Sequence, residues 1–154
     1  MRLPPFLLVT ALLAASQLAA QKPISVAGIR SLTFGAVLPG VPRVISRTDA
    51  ANAGQFDISG AKNAGIQLTF TLPSVMTGPA GATMPITFSG SDAGYSPPST
   101  ITSQVAFDPS QPFPTSLDKN GRASVFIGAT AHPAPAQRAG SYTGTLTLTV
   151  VYFP

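Results

Sequence analysis

The chain contains no cysteine, no tryptophan and no glutamate, and its single histidine is His132. Without cysteine there is no disulfide, no thiolate metal ligand, no cysteine nucleophile and no cysteine for lipid attachment. One histidine and no glutamate leave nothing to complete a zinc site. The acids are Asp49, Asp57, Asp92, Asp108 and Asp118. None forms the Asp-x-Asp pair of a calcium loop. No Gly-x-Ser-x-Gly elbow accompanies His132, so no serine is marked as a nucleophile. Gly78-Pro79-Ala80-Gly81 lacks the Gly-Lys-Ser/Thr ending of a phosphate-binding loop. The sequence therefore names no catalytic, cofactor-binding or metal-binding residue, and the expectation is a protein that is not an enzyme. Charged residues are 9% of the 154, against a usual ~25%. The net charge is +4. Arg30, Arg43, Arg47, Lys62, Lys119, Arg122 and Arg138 are scattered singly, without the clustering that nucleic-acid binding needs.

What is present begins with an address. Arg2 precedes the apolar run Phe6-Leu7-Leu8-Val9-Thr10-Ala11-Leu12-Leu13-Ala14-Ala15, and small residues follow up to Ala20. This is the layout of a secretory signal peptide. The run is shorter than the ~18 residues of a membrane-spanning helix, so no transmembrane anchor is expected. Cleavage is expected after Ala20, with a cut after Ser16 as the other choice. Residues 1–20 are read as the signal and 21–154 as a single β-sandwich domain, exported to the periplasm, the cell surface or the medium. Those 134 residues can bury a core without covalent staples.

Beyond residue 20 the apolar period is two. Tyr142, Leu146, Leu148, Val150 and Tyr152 share one face, with Gly144 in the same row. Thr143, Thr145, Thr147 and Thr149 share the other. This predicts a half-buried strand with a threonine face toward water. Ile66, Leu68, Phe70 and Leu72 alternate likewise, as do Met84, Ile86 and Phe88. Val125 and Ile127, Phe56 and Ile58, and Ile24 with Val26 mark further strands. Ile101, Val105 and Phe107 mark a weaker one. Turn chemistries separate the runs, among them Gly94-Tyr95-Ser96-Pro97-Pro98, whose tyrosine is expected to be exposed. Asn120-Gly121 predicts a hairpin with positive φ at both positions. Seven or eight short strands predict an all-β, immunoglobulin-like antiparallel β-sandwich.

Two segments carry a resemblance. Near the start stands Leu32-Thr33-Phe34-Gly35. Near the end Ala139-Gly140-Ser141-Tyr142-Thr143-Gly144 leads into the strand that closes at Tyr152. The chain resembles a family of short secreted bacterial proteins of unknown function with these motifs. More distantly, it is similar to the spore coat protein U family, which includes archaic chaperone–usher pilins. Those relatives usually carry a disulfide, which this chain lacks.

The resemblance implies an immunoglobulin-like sandwich lacking one strand. A periplasmic chaperone fills the gap first, and the N-terminal segment of the next subunit replaces it. The candidate donor segment here contains Ile24 and Val26. Ile29 falls out of phase with them unless a bulge at Gly28 resets the register. The same residues read equally well as the first strand of their own domain. The functional expectation is an exported structural subunit, pilin-like or surface-associated, with itself and a chaperone/usher pair as partners. The alternative is a self-contained secreted binding module, for example for surface polysaccharide, with Tyr95 as a candidate contact.

Overall fold

Strict alternation needs one buried face and one wet face, and the regular runs find both. The computed structural model describes residues 21–97 and 101–154. Its strands are β1 (Ser25–Arg30), β2 (Arg43–Ile45), β3 (Gly54–Ser59), β4 (Gly65–Thr71), β5 (Val75–Thr77) and β6 (Thr83–Thr87). They continue with β7 (Ala93–Ser96), β8 (Val105–Phe107), β9 (Phe113–Ser116), β10 (Arg122–Ile127), β11 (Ala129–Ala131) and β12 (Thr147–Tyr152). All pairings are antiparallel.

Three sheets form a sandwich-like fold. One layer is the five-stranded sheet β1-β3-β10-β7-β8. Facing it is the three-stranded sheet β12-β4-β9, and the four-stranded sheet β2-β11-β6-β5 carries a separate cluster. Among the described residues twelve strands stand where alternation suggested seven or eight, because long runs are broken into pairs. Pro73, which has no N–H to donate, separates β4 from β5. Gly128 separates β10 from β11, and there the chain passes from one layer to the other. A side chain at Gly128 would collide with the main chain of Ile45 and Ser46.

The five-stranded sheet packs against the three-stranded one. Ile66, Leu68, Val125 and Ile127 are wholly buried between them, joined by Ile58, Phe70, Tyr95, Phe107 and Leu148. Burying each such aliphatic side chain contributes about 1.5–3 kcal/mol. Phe107 stacks on Phe113 at 4.3 Å between ring centres. A second, smaller cluster consists of Met76, Met84, Ile86, Ala129 and Ala131, on the four-stranded sheet. No sheet covers it. Its cover is the irregular segment carrying Leu32, Phe34 and Val37, with Phe88 and Tyr142 at the sides.

Two expectations are corrected, and one strand, Phe113–Ser116, stands where no expectation was placed. Gly94–Ser96 is not a turn but part of β7, buried throughout. Phe113–Ser116, with its Pro114, is an edge strand paired to β4. Asn120-Gly121 does form a turn, but not a two-residue hairpin: only Gly121 has positive φ. The Gly121 N–H bonds to the Asp118 carbonyl. The Asp118 carboxylate also accepts the N–H groups of Asn120 and Arg122, favouring the wider turn. The strands it joins lie in different sheets, β9 against β4 and β10 against β3.

Candidate functional site: an open groove beside the last strand

The alternation of residues 142–152 appears on the expected faces. Tyr142, Leu146, Val150 and Tyr152 are half-buried and Leu148 is buried, while Thr143, Thr145, Thr147 and Thr149 are exposed. Only part of the run is a full strand. β12 pairs with β4 from Thr147↔Thr71 to Tyr152↔Ile66. Upstream, the single bridge Thr143↔Thr77 ties the chain to β5.

Tyr142 anchors this upstream stretch. Its hydroxyl donates to the Arg138 carbonyl at 2.7 Å and accepts from Gln137 Nε2 at 2.6 Å. Its ring lies on Gly78, where a Cβ would stand 2.6 Å from a ring carbon. Gly140 is the neighbouring requirement: its φ is +141, and a side chain there would strike the Pro79 ring. A tyrosine bonded to main chain a few residues upstream, at the entry to a late strand, is the tyrosine corner of immunoglobulin-like sandwiches.

Between this stretch and the chain leaving β1 lies a cavity of about 780 Å³. One wall is Gly28–Gly35 and the other Gly140–Leu146. The floor is apolar, made by Phe56, Met76, Met84, Ile86, Phe88 and Ile127. Thr143 spends both main-chain groups on Thr77. In an extended chain the groups of Tyr142 and Gly144 then point the other way, toward the groove. On the far wall Thr33 bonds to Asn52, and Arg30 Nε donates to the Ala53 carbonyl at 2.6 Å. Arg30 Nη2 is buried with no hydrogen-bond partner among the described residues.

Strand order explains why the groove exists. Immunoglobulin domains place strands A, B, E and D in one sheet and C, F and G in the other. Here β1, β3, β10 and β7 stand in A-B-E-D order, and β4 and β12 stand as C and F. β12 thus stands as F, and among the described residues no strand pairs with its outer edge. The end of β1, Gly28–Arg30, and the stretch Gly140–Leu146 that leads into β12 flank the opening.

Ile24 and Val26 do not line this cavity, whose wall begins at Gly28. Val26 is in β1 and Ile24 immediately precedes it. β1 pairs with β3 in its own domain, and the register shifts between Gly28 and Arg30, so a bulge does fall beside Ile29. Ile24 packs on the larger core, while Val26 and Ile29 are 37% and 54% exposed. Sequence reasoning missed the floor residues as a site, since each reads as ordinary core.

Tyr95 is not the exposed contact expected of it. It is buried on β7, its hydroxyl donates to the Ser116 carbonyl, and burial raises its pKa. His132 Nε2 lies 2.8 Å from Thr87 Oγ1. Among the described residues no three His or Asp side chains converge as metal ligands. No helix among them is long and apolar enough to cross a membrane.

The sequence model of a family described as "Domain of unknown function (DUF4402)" matches residues 19–152. The chain belongs to this family. No curated protein and no solved structure matches it. In this DUF4402 domain the matched span takes in both walls of the groove and both edge strands.

Proposed function

We propose that this protein is an exported, non-enzymatic structural subunit whose sandwich is completed by an extended strand donated by another chain. The observation that carries the reading is the apolar groove beside Gly140–Leu146, a stretch tied to β5 by one bridge that leads into a strand, β12, with no outer neighbour among the described residues. Such a groove suits strand addition: main-chain bonds hold the guest, and apolar pockets select alternate side chains. Left empty, it is an aggregation hazard.

The proposed donor is the segment 21–30 of a second copy, with a periplasmic chaperone occupying the groove before assembly. Support comes from the character of β1. It is an edge strand, and five of its six residues are exposed. Its exposed apolar side chains, Val26 and Ile29, gain little from their present seat. The pilin-like form of the reading rests on the sequence resemblance alone. The polysaccharide-binding alternative loses its named contact with the burial of Tyr95.

The test is oligomeric state. On a sizing column the purified protein forms concentration-dependent oligomers. Excess synthetic peptide of residues 21–30 converts them to single chains with peptide bound. A monodisperse monomer that unfolds in one cooperative transition and ignores the peptide overturns the reading.

A further inference from the structure

The wall beside the last strand is uneven, and its unevenness matches one segment of this chain. Thr143 gives both main-chain groups to Thr77, so in an extended chain those of Tyr142, Gly144 and Leu146 face the groove. The same three residues are the inward-facing ones: Tyr142 and Leu146 are half-buried, while Thr143 and Thr145 are exposed. Gly144, between two large side chains, leaves a notch in the wall. A Cβ there would stand 3.4 Å from Met76 Cγ, so the notch has Met76 as its floor. Gly144 and Met76 both line the cavity. In segment 21–30 the in-phase residues Ile24, Val26 and Gly28 run the other way, from large to none.

We propose that the donated segment lies antiparallel to this wall, with Val26 opposite Gly144, Gly28 opposite Tyr142 and Ile24 opposite Leu146. The inference rests on the strand-acceptor reading above and deepens it by naming the contacts between two copies. Directly opposite residues have Cβ atoms about 4.5–5.5 Å apart, so their sizes must complement each other. In this register the bulky Tyr142 meets the residue without a side chain. Val26 fills the notch over Met76, and Ile24 joins Leu146, which packs on the larger core. Each of the three guest residues has an N–H to exchange with its partner, and Pro23 falls at a position whose groups face away. Ser25 and Ala27 come beside the exposed Thr145 and Thr143. A slip of two residues one way sets Gly28 against Gly144 and leaves the notch empty. The opposite slip sets the Lys22 charge against Leu146. Reversing the strand crowds Ile24 on Tyr142 and leaves Gly28 against Leu146. The acceptor contributes only Gly140–Leu146 and the floor, so its own segment 21–30 is free to serve the next copy.

The chain has no cysteine, so a disulfide between two single-cysteine variants reports a contact between copies. One preparation carries Gly144→Cys. It is mixed under mild oxidation with a differently tagged Ile24→Cys, Val26→Cys or Gly28→Cys. Opposite residues lie within the reach of a disulfide, whereas a neighbour two places along is displaced by about 6.6 Å and falls outside it. The mixed disulfide should therefore form about tenfold faster with Val26→Cys than with the other two. Calorimetry on the wild-type protein with synthetic peptides of residues 21–30 gives a second measurement that no variant's folding affects. The peptide carrying Gly28→Val should bind about tenfold more weakly than the natural one, because its branched side chain meets Tyr142. Cross-linking fastest at Ile24→Cys or Gly28→Cys overturns the register and leaves the groove reading intact. A Gly28→Val peptide that binds as well as the natural one does the same. If no pair cross-links and neither peptide binds, the groove reading falls and the register falls with it.

Discussion

The two hydrophobic clusters are built from the same kinds of residue yet finished differently. Around Leu68 and Val125, a sheet faces a sheet and side chains meet from both layers. Around Met76 and Met84, a sheet faces one irregular segment, Leu32–Val37, and a cavity opens at the side. Apolar burial drives both, but only the first has a sheet on each face. The difference separates the part that holds the fold together from the part where the proposed guest would bind. The sealed half supplies the larger core. The open half leaves an apolar cavity at its side.

The largest effect expected from this comparison is a contrast between two truncations. Leu68→Ala removes a wholly buried side chain from the sealed cluster and should cost about 3–4 kcal/mol. Met84→Ala beside the cavity should cost about half as much, near 2 kcal/mol, because its surroundings are already open on one side and can relax. Urea unfolding measures both. Equal losses would show that the second cluster is as closed as the first.

Next is Gly78→Ala. Its Cβ would press on the Tyr142 ring and displace the groove wall, at about 1–3 kcal/mol. Faster amide exchange at Tyr142–Leu146, with β4 unaffected, is the expected signature. A uniform change across both halves would contradict their independence.

The smallest effect is with acid. Asp118 is held below the usual carboxylate range chiefly by the Arg122 main-chain N–H. Asp49 is lowered chiefly by the Asn52 side chain, and Asp108 by the Ser110 hydroxyl. A carboxyl whose pKa is lower folded than unfolded stabilises the fold above the unfolded value, about 4. That stabilisation is lost as pH falls through the folded value. Stability should therefore stay level from about pH 7 to 5 and decline below about 4. Asp118→Asn should make that decline shallower, as read by thermal unfolding across pH. Asp118 caps a turn beside the sealed half, whereas Asp49 orders the turn that supports the groove wall through Asn52. The matching Asp49 variant compares the two regions directly.

The sequence made the inward faces of β4, β6 and the last strand legible, because each has one dry face and one wet face. It hid β7, whose four residues are all buried. The outer face of that strand is covered as well, with Arg47 and Gln104 lying on Gly94. Phe126, 1% exposed beside Val125, was masked for the same reason: when both faces are dry, period two disappears. The groove lies beyond the reach of periodicity altogether. Alternation reports which way side chains point. It carries nothing about whether a neighbour lies alongside in the hydrogen-bonding direction. Tyr142–Leu146 alternates as well as β12 does, yet has one bridge where β12 has a ladder. Residues 1–20, read as the signal peptide, lie outside the described residues.

The central claim is that the stretch beside Tyr142 awaits a strand from another chain. Amide hydrogen exchange on the purified protein, with and without saturating peptide of residues 21–30, tests it most directly. The account predicts that peptide slows exchange at Tyr142, Gly144 and Leu146 and leaves β4 and β10 unchanged. Exchange at those three residues that is already as slow as in β12 without peptide, and that peptide does not alter, would contradict it.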